Sequence, residues 1–296
     1  MDFDTAIKQA WNDHADDARS VAARLPELRR LASDDPQLER LIALTRHLYG
    51  AHFGEWSVGA AALESLRGHA AYRDEASSGQ GLRRAVASLA LCGGAAPGAL
   101  SPSDQIRVHA MAAENLLTHD APRAAQLLRQ ALAIAERSGL PDTDPMHRAV
   151  AVASNALACT LEEKTDRTAD ERVLMILAAQ AARHHWQRAG TWLEVERAEY
   201  RLAMTWLQAG DLAQARQHAQ SCLAIVAAND SPALERFFGH ESLGVIERAA
   251  GNATGHARAL EDARKAFVEL SEDDQGWCQA SLDKLALPAV TSPAPG

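Results

Sequence analysis

The side chains in this sequence that could do chemistry are twelve histidines, four cysteines and several adjacent pairs of carboxylates. His47 and His52 lie five residues apart and His184 is adjacent to His185, whereas two metal ligands on one α-helical face are usually four residues apart. The cysteines are widely separated, so a zinc ribbon or a redox motif is not indicated. The sequence contains no nucleophile-elbow, zincin or phosphate-loop motif. We therefore predict no catalytic residues, no metal site and no cofactor.

The composition restricts the class of partner and the compartment. A net charge of -9 argues against a direct nucleic-acid partner and against an anionic membrane surface, because both require a basic face. No apolar stretch reaches the roughly 20 residues of a membrane span, and the acidic N-terminus does not have the pattern of a signal peptide. Together with the dispersed cysteines, these features predict a cytoplasmic protein whose partner is another protein or a peptide.

The elements that would position any site are predicted to be helices, because alanine is abundant and only 5% of the residues are aromatic. The segment LQAGDLAQARQHAQSCLAIV, residues 207–226, has one apolar helical face. That face is formed by Ala215, Ala219, Cys222, Leu223 and Val226. The same spacing occurs 91 residues earlier, and the unit recurs every 41 to 46 residues, at Met111, Leu157, Leu202 and Leu243. Internal periods of this size predict a helical solenoid.

Each unit has the pattern of two antiparallel helices that approach through small side chains. Gly210 should end the first helix in the left-handed conformation, and the Asp211 carboxylate should cap the second helix. Small residues such as Gly244 are expected at the helix contact. Cys222 takes the place of an alanine in the earlier copy, so we expect a small buried residue, whereas His218 lies off the apolar face and is expected to be solvated.

The stretch AEYRLAMTWLQAGDLAQARQHAQSCLAI resembles the tetratricopeptide repeat (TPR). The matching positions are Leu202, Ala203, Trp206, Gly210, Asp211, Ala215 and Cys222. The period exceeds the usual 34 residues, as in the long TPR variants of bacterial regulators and kinesin light chain. The resemblance implies an all-α fold, a right-handed α-solenoid of antiparallel helix hairpins with about 12–13 helices.

The repeats divide the chain into three predicted parts. Residues 1–100 form an N-terminal helical region with one degenerate repeat near 52–66. Residues 101–287 hold TPR-like repeats at about 105–138, 150–189, 196–228 and 236–270, followed by a capping helix. The segment CGGAAPGALSPS, residues 92–103, is a flexible joint by its composition, and residues 288–296 form a disordered tail.

The resemblance also implies where a partner would bind, because the first helix of each TPR pair lines a concave groove. The predicted groove residues are His109, Leu116, Asn155, Cys159, Glu162, Tyr200, Arg201, Met204, Glu241 and Arg248. Apolar residues with scattered polar groups suit a bound peptide or helix. The alternative is that these residues pack against neighbouring helices, or against a terminal helix that fills the groove.

Three functions follow from this organisation. The favoured one is a non-enzymatic interaction scaffold that binds a protein segment in the groove, with a regulatory role. The second is a ligand- or peptide-sensing regulatory module, in which a small molecule or peptide closes the superhelix around Met204, Cys159 and Tyr200; the 92–103 joint and the loosely matching repeats motivate it. The third is an enzyme on a helical scaffold, which would require a closed pocket holding several of His109, Cys159, Glu162 and Glu241. An uncapped end of the solenoid would also allow a homodimer.

Overall fold

A computed structural model describes residues 1–287, and every regular element in that range is a helix. This confirms the all-α prediction. The predicted tail at 288–296 lies outside the described residues. Within residues 1–287 there are fifteen α-helices, two more than the upper predicted number. None of the described helices is both long enough and apolar enough to cross a membrane.

The described chain forms two compact units, and their boundary lies between Ala153 and Ser154, inside helix α9 (Pro145–Glu163). The first unit contains α1 (Phe3–Asp13), α2 (Ala18–Ala23), α3 (Leu25–Leu31), α4 (Asp35–His47), a π-helical turn (Leu48–His52), α5 (Trp56–Glu64), a 3-10 turn (Ser65–Gly68), α6 (Ser77–Cys92), α7 (Pro102–Leu116) and α8 (Ala121–Ser138). The boundary is farther along the chain than the 92–103 segment, where the sequence suggested a joint. Helices α6 and α7 flank that segment and pack against each other within the first unit.

The second unit is a series of helices that pack on their neighbours in the chain. After the end of α9 come α10 (Ala169–Ala189), α11 (Trp192–Ala209), α12 (Leu212–Ala228), α13 (Ala233–Ala249), α14 (Ala253–Val268) and α15 (Glu272–Leu285). The main contacts join α10 to α11, α11 to α12, α12 to α13 and α13 to α14. Packing between consecutive helices is the arrangement expected of a helical repeat.

The ends of these helices follow from local side-chain chemistry. Gly210 ends α11 with a φ of 86°, in the left-handed region where glycine has no Cβ to clash. The Asp211 carboxylate then accepts a hydrogen bond from the Gln214 backbone N–H at 3.0 Å and caps α12. Thr191 and Glu194 form a reciprocal capping box at the start of α11. The predicted hairpin is therefore confirmed in its bounds and in its caps.

The helix contacts in the second unit are made by small residues. Ala203, Ala215 and Ala219 are fully buried and share a cluster with Ile246. At Gly244, a Cβ would lie 2.6 Å from Cδ1 of Leu285, so a methyl group there would require the Leu285 side chain to shift. The alanines and glycines of the repeat therefore determine how closely the helices approach.

The apolar pattern of residues 3–25 predicts a single helix, but the structure divides this region. Its apolar pattern is interrupted by Asp17, whose side chain accepts a hydrogen bond from the Ser20 backbone N–H at 3.0 Å and starts α2. Pro26 is in the first turn of α3, where its missing N–H costs no helical hydrogen bond. Residues 3–25 therefore form α1, α2 and the first residue of α3 in place of one helix.

Candidate functional site

The candidate site is a cavity of about 420 Å³ in the second unit, formed by side chains from α9, α11, α13 and α15. Its lining residues are Asn155, Glu196, Arg197, Tyr200, Arg201, Leu234, Glu235, Phe238 and Trp277. Residues four apart on one helix share a face, which explains the pairs Glu196–Tyr200 on α11 and Leu234–Phe238 on α13. The cavity therefore combines an apolar wall with several charged groups.

The apolar wall consists of three aromatic rings in a row. The Tyr200 and Phe238 ring centroids are 5.8 Å apart at 76°, and the Phe238 and Trp277 centroids are 5.4 Å apart at 62°. These are edge-to-face contacts, which are favourable for aromatic pairs. Trp277 is 66% exposed, although it is a large hydrophobic residue. The row therefore offers ring surface to a ligand at the solvent side of the cavity.

Both arginines of the cavity already have an acidic partner. Arg197 Nη2 lies 2.6 Å from Glu235 Oε1. Arg201 forms an ion pair with Glu162, which also accepts a hydrogen bond from the Thr205 hydroxyl. Burial raises the pKa of the Glu162 carboxyl, and the nearby guanidinium of Arg201 opposes that effect. Neither cation is therefore free to receive an anionic ligand without losing its present partner.

Glu196 differs from Glu235, the other acid in the cavity lining, because no cation pairs with it among residues 1–287. It is 1% exposed, and its Oε1 accepts a hydrogen bond from the Cys222 thiol at 2.9 Å. The second carboxyl oxygen, Oε2, is buried and has no hydrogen-bond partner in the described part of the chain. Burial raises the pKa of Glu196. An unsatisfied buried carboxyl oxygen is costly, so Glu196 would gain from a donor in the cavity.

A second acid lies next to the aromatic row. The Tyr200 hydroxyl donates a hydrogen bond to Glu241 Oε2 at 3.3 Å. Burial raises the pKa of Glu241 to about 7, and burial also raises the pKa of Tyr200. Cys222 is fully buried, and burial beside Glu196 raises the pKa of its thiol. The thiol therefore stays protonated and is a poor nucleophile.

The structure places eight of the ten predicted groove residues in the second unit. Three of them line the cavity, namely Asn155, Tyr200 and Arg201. Two others, Glu162 and Glu241, are bonded directly to those lining residues. The remaining three are Cys159, Met204 and Arg248. The Cys159 Sγ lies 3.6 Å from the Asn155 amide nitrogen. Met204 is half-buried, and Arg248 donates a hydrogen bond to the Lys284 carbonyl.

The other two predicted groove residues, His109 and Leu116, belong to the first unit. His109 is 7% exposed and donates from Nδ1 to the Gln105 carbonyl at 2.7 Å. Leu116 is fully buried. Both side chains are therefore buried in the first unit. This agrees with the alternative prediction that groove positions pack against neighbouring helices.

Six cavity residues were not predicted from the sequence, and the expectation for His218 was only partly correct. The missed residues are Glu196, Arg197, Leu234, Glu235, Phe238 and Trp277. Those on α11 and α13 lie one or two turns before the groove positions of the TPR pattern, and Trp277 lies on α15, outside the pattern. His218 is not simply solvated, because its Nδ1 lies 2.7 Å from Glu199 Oε2 and its side chain is 20% exposed. The four-residue spacing of Glu196 and Tyr200, which places a charged and an aromatic side chain on one helical face, could have indicated part of this cavity.

The first unit contains a group of side chains that could hold a metal, contrary to the expectation from their spacing. His14, His47 and His52 each offer one ring nitrogen, and these nitrogens lie within 4.8 Å of one another. We call them the histidine cluster. Residues Leu48–His52 form a π-helical turn, in which Phe53 N–H donates to the Leu48 carbonyl five residues earlier. A wider turn brings residues five apart onto one face, which explains why the α-helical spacing rule failed here.

Comparisons with protein families, with curated proteins and with solved structures find no match to this chain.

Proposed function

We propose that this protein is a non-enzymatic interaction scaffold of the TPR-like kind, which binds a partner peptide in the cavity of its second unit. The peptide segment would present a lysine or arginine side chain beside an apolar one. The observation that carries this proposal is the Glu196 carboxyl, buried and without a cation, next to the row Tyr200–Phe238–Trp277. The repeat pattern of the sequence and the packing of consecutive helices support the TPR-like part of the proposal.

The charges of the cavity favour a cationic group. Arg197 is paired with Glu235 and Arg201 with Glu162, so the remaining acid is Glu196. A lysine ammonium or an arginine guanidinium could donate to Glu196 Oε2 and so satisfy the buried oxygen. Charge-assisted hydrogen bonds of this type contribute about 1.5–3 kcal/mol. The net charge of -9 would also attract a basic segment over longer range.

The aromatic row favours the same ligand. A cation over the face of a tyrosine or tryptophan ring gains about 0.5–2 kcal/mol, and the methylene groups of lysine or arginine pack against the ring. Trp277 is available for this contact because two thirds of its surface is exposed. Exposed aromatic residues beside polar groups are typical of the centre of a protein interface.

The cavity does not favour an enzyme. A nucleophile requires a base that can remove its proton, but the Cys222 thiol faces Glu196 in surroundings that raise the pKa of both groups. The acids next to the cavity are held by Arg201, Arg197 or the Tyr200 hydroxyl. A binding role in the cytoplasm is therefore the better proposal.

Selection from a random peptide library tests this proposal. The wild-type chain should enrich peptides with a basic residue next to an apolar one, and their affinity should fall as salt increases. Glu196→Gln should weaken binding at least tenfold while retaining an acceptor for the Cys222 thiol. Trp277→Ala should also weaken it. The control is Glu269→Gln, which removes an exposed acid paired with Arg236 outside the cavity.

Two results would contradict the proposal. One is selection of peptides without a basic residue. The other is equal affinity of the selected peptides for the wild type, Glu196→Gln and Trp277→Ala. Loss of binding through unfolding is recognised by circular dichroism, and it is not expected for Glu196→Gln, because that change removes a buried carboxylate whose ionisation is unfavourable.

The second candidate is a sensor of a small cationic ligand, and the size of the cavity supports it. A volume of about 420 Å³ lies within the roughly 300–1,000 Å³ of small-molecule sites. Thermal-shift measurements with alkylamines and arginine would separate the two functions. A ligand at one hundred times its Kd stabilises the folded state by about 2.7 kcal/mol. Stabilisation by a free amine, without stabilisation by peptides, would favour the sensor.

A further inference from the structure

The histidine cluster of the first unit has the geometry of a metal site and is independent of the peptide cavity. His14 directly follows α1, His47 is the last residue of α4, and His52 ends the π-helical turn. The three rings therefore come from two segments that are separated in the chain by α2 and α3. Three converging imidazoles offer a metal ion one more ligand than a pair of exposed histidines on one helix would.

The distances between the rings agree with tetrahedral coordination. With zinc–nitrogen bonds of about 2.0–2.1 Å, two ligand nitrogens lie about 3.3 Å apart and the ring centroids about 5.2 Å apart. The Nε2 atoms of His47 and His52 are 3.2 Å apart. The centroid distances are 5.0 Å for His14–His47, 5.3 Å for His14–His52 and 4.9 Å for His47–His52. The His47 and His52 nitrogens thus have the separation of two tetrahedral ligands, and a ring nitrogen of His14 lies within 4.8 Å of both.

A backbone acceptor orients one of these rings for coordination. The Trp11 carbonyl accepts a hydrogen bond from His14 Nδ1 at 2.5 Å, because a carbonyl oxygen can only accept. The proton of a neutral His14 ring is therefore on Nδ1, and Nε2 is free to bind a metal. A carbonyl behind a ligating histidine is the usual outer support of such a ligand. The Trp11 ring also packs against His14 and His47, with centroids 5.2 Å and 5.3 Å away.

The surroundings allow a cation to enter. His52 is exposed, while His14 and His47 are half-buried, so the cluster is accessible to solvent from the side of His52. The nearby guanidinium of Arg46 is engaged by Glu114 at 3.1 Å and by the Asn115 amide oxygen at 2.7 Å.

We propose that His14, His47 and His52 bind one divalent transition-metal ion such as zinc, with a water molecule at the fourth position. Imidazole ligands suit zinc, copper and nickel, whereas magnesium and calcium prefer oxygen ligands. The ion would connect the end of α1 to the π-helical turn. Three protein ligands with an open position are also the arrangement of zinc sites that bind a further small ligand.

The test uses the untagged full-length chain, stripped with a chelator and titrated with zinc by calorimetry. We expect one zinc ion per chain and no competition from magnesium. His47→Gln and His52→Gln should each weaken zinc binding at least tenfold. The matched control is His240→Gln, which replaces a half-buried histidine of the second unit and should leave zinc binding unchanged. X-ray absorption of the zinc-loaded wild type should give three imidazole ligands.

Three results would overturn the proposal: no saturable binding of zinc, equal affinity of the wild type and the two cluster variants, or fewer than three imidazoles in the absorption spectrum. The spectrum needs no variant, so the proposal stays testable if a substitution impairs folding. Failure of zinc binding would leave the peptide experiment unaffected, because the two sites are in different units.

Discussion

Replacing Glu241 with glutamine should make the stability of the protein less dependent on pH. Glu241 is 8% exposed, and burial raises the pKa of its carboxyl from 4.5 to about 7. Between these two pH values the folded chain retains a proton that the unfolded chain has released. The folded state therefore loses stability as pH rises through this window, and the loss is complete above pH 7.

The difference between the two pKa values sets the change in the free energy of unfolding. Each pH unit between 4.5 and about 7 corresponds to about 1.4 kcal/mol, so ionised Glu241 costs about 3 kcal/mol relative to the protonated form. Glutamine resembles the protonated form, and its amide oxygen can still accept from the Tyr200 hydroxyl. Glu241→Gln should thus match the wild type near pH 4.5 and be about 3 kcal/mol more stable near pH 8.

The measurement is urea unfolding followed by circular dichroism from pH 4.5 to 8. At about 1–3 kcal/mol per molar urea, the variant midpoint at pH 8 should exceed that of the wild type by about 1 M or more. Glu247→Gln on the same helix is the matched control with the opposite sign. The Arg216 guanidinium lies 2.6 Å from Glu247 and lowers the pKa of that carboxyl. This variant should therefore lose stability at neutral pH.

Two outcomes would refute this reasoning. One is a stability difference between Glu241→Gln and the wild type that does not change with pH. The other is a variant that is less stable than the wild type at pH 8, which would mean that the carboxylate has a favourable partner when it is ionised.

Three further substitutions test the packing and the caps by the same unfolding measurement. Leu202→Ala should cost about 2–5 kcal/mol, because this side chain is 2% exposed and its loss leaves a cavity between helices. Ala215→Leu should cost about 1–3 kcal/mol, because the fully buried position has no space for three more carbons. Near-zero losses at both positions would contradict the proposed contact. Thr191→Ala should cost about 1 kcal/mol by removing half of a capping box, and an unchanged midpoint would mean that water replaces the cap.

Much of the helical organisation could be predicted because the rules that determine it are local. Gly210 and Asp211 predict the turn between two helices, and α11 ends and α12 (Leu212–Ala228) begins at these residues. The N-terminal helices were harder to predict, because the apolar pattern continued through residues 3–25 while Asp17 began a new helix. Apolar periodicity alone does not show where a capping residue ends one helix and begins the next.

The candidate site could be predicted only where it coincided with the repeat pattern. Tyr200 and Arg201 occupy pattern positions, but Trp277 comes from α15, whose contact with the repeats is a tertiary property. The histidine cluster was missed for a different reason. His47 and His52 are brought together by a π-helical turn. Gly50 in this turn packs closely against Asn115, because a Cβ placed on the glycine would lie only 2.7 Å from the Asn115 side chain. Spacing rules assume 3.6 residues per turn, so they cannot find such a pair.

Packing between helices that are close in the chain has a consequence for how quickly the second unit folds. Helix α11 packs mainly on α10 and α12, and α13 on α12 and α14, so only short loops have to close before native contacts form. Low contact order of this kind is associated with folding in microseconds to milliseconds. Any of these hairpins can act as the nucleus, and the order in which they form should respond to single substitutions in one hairpin.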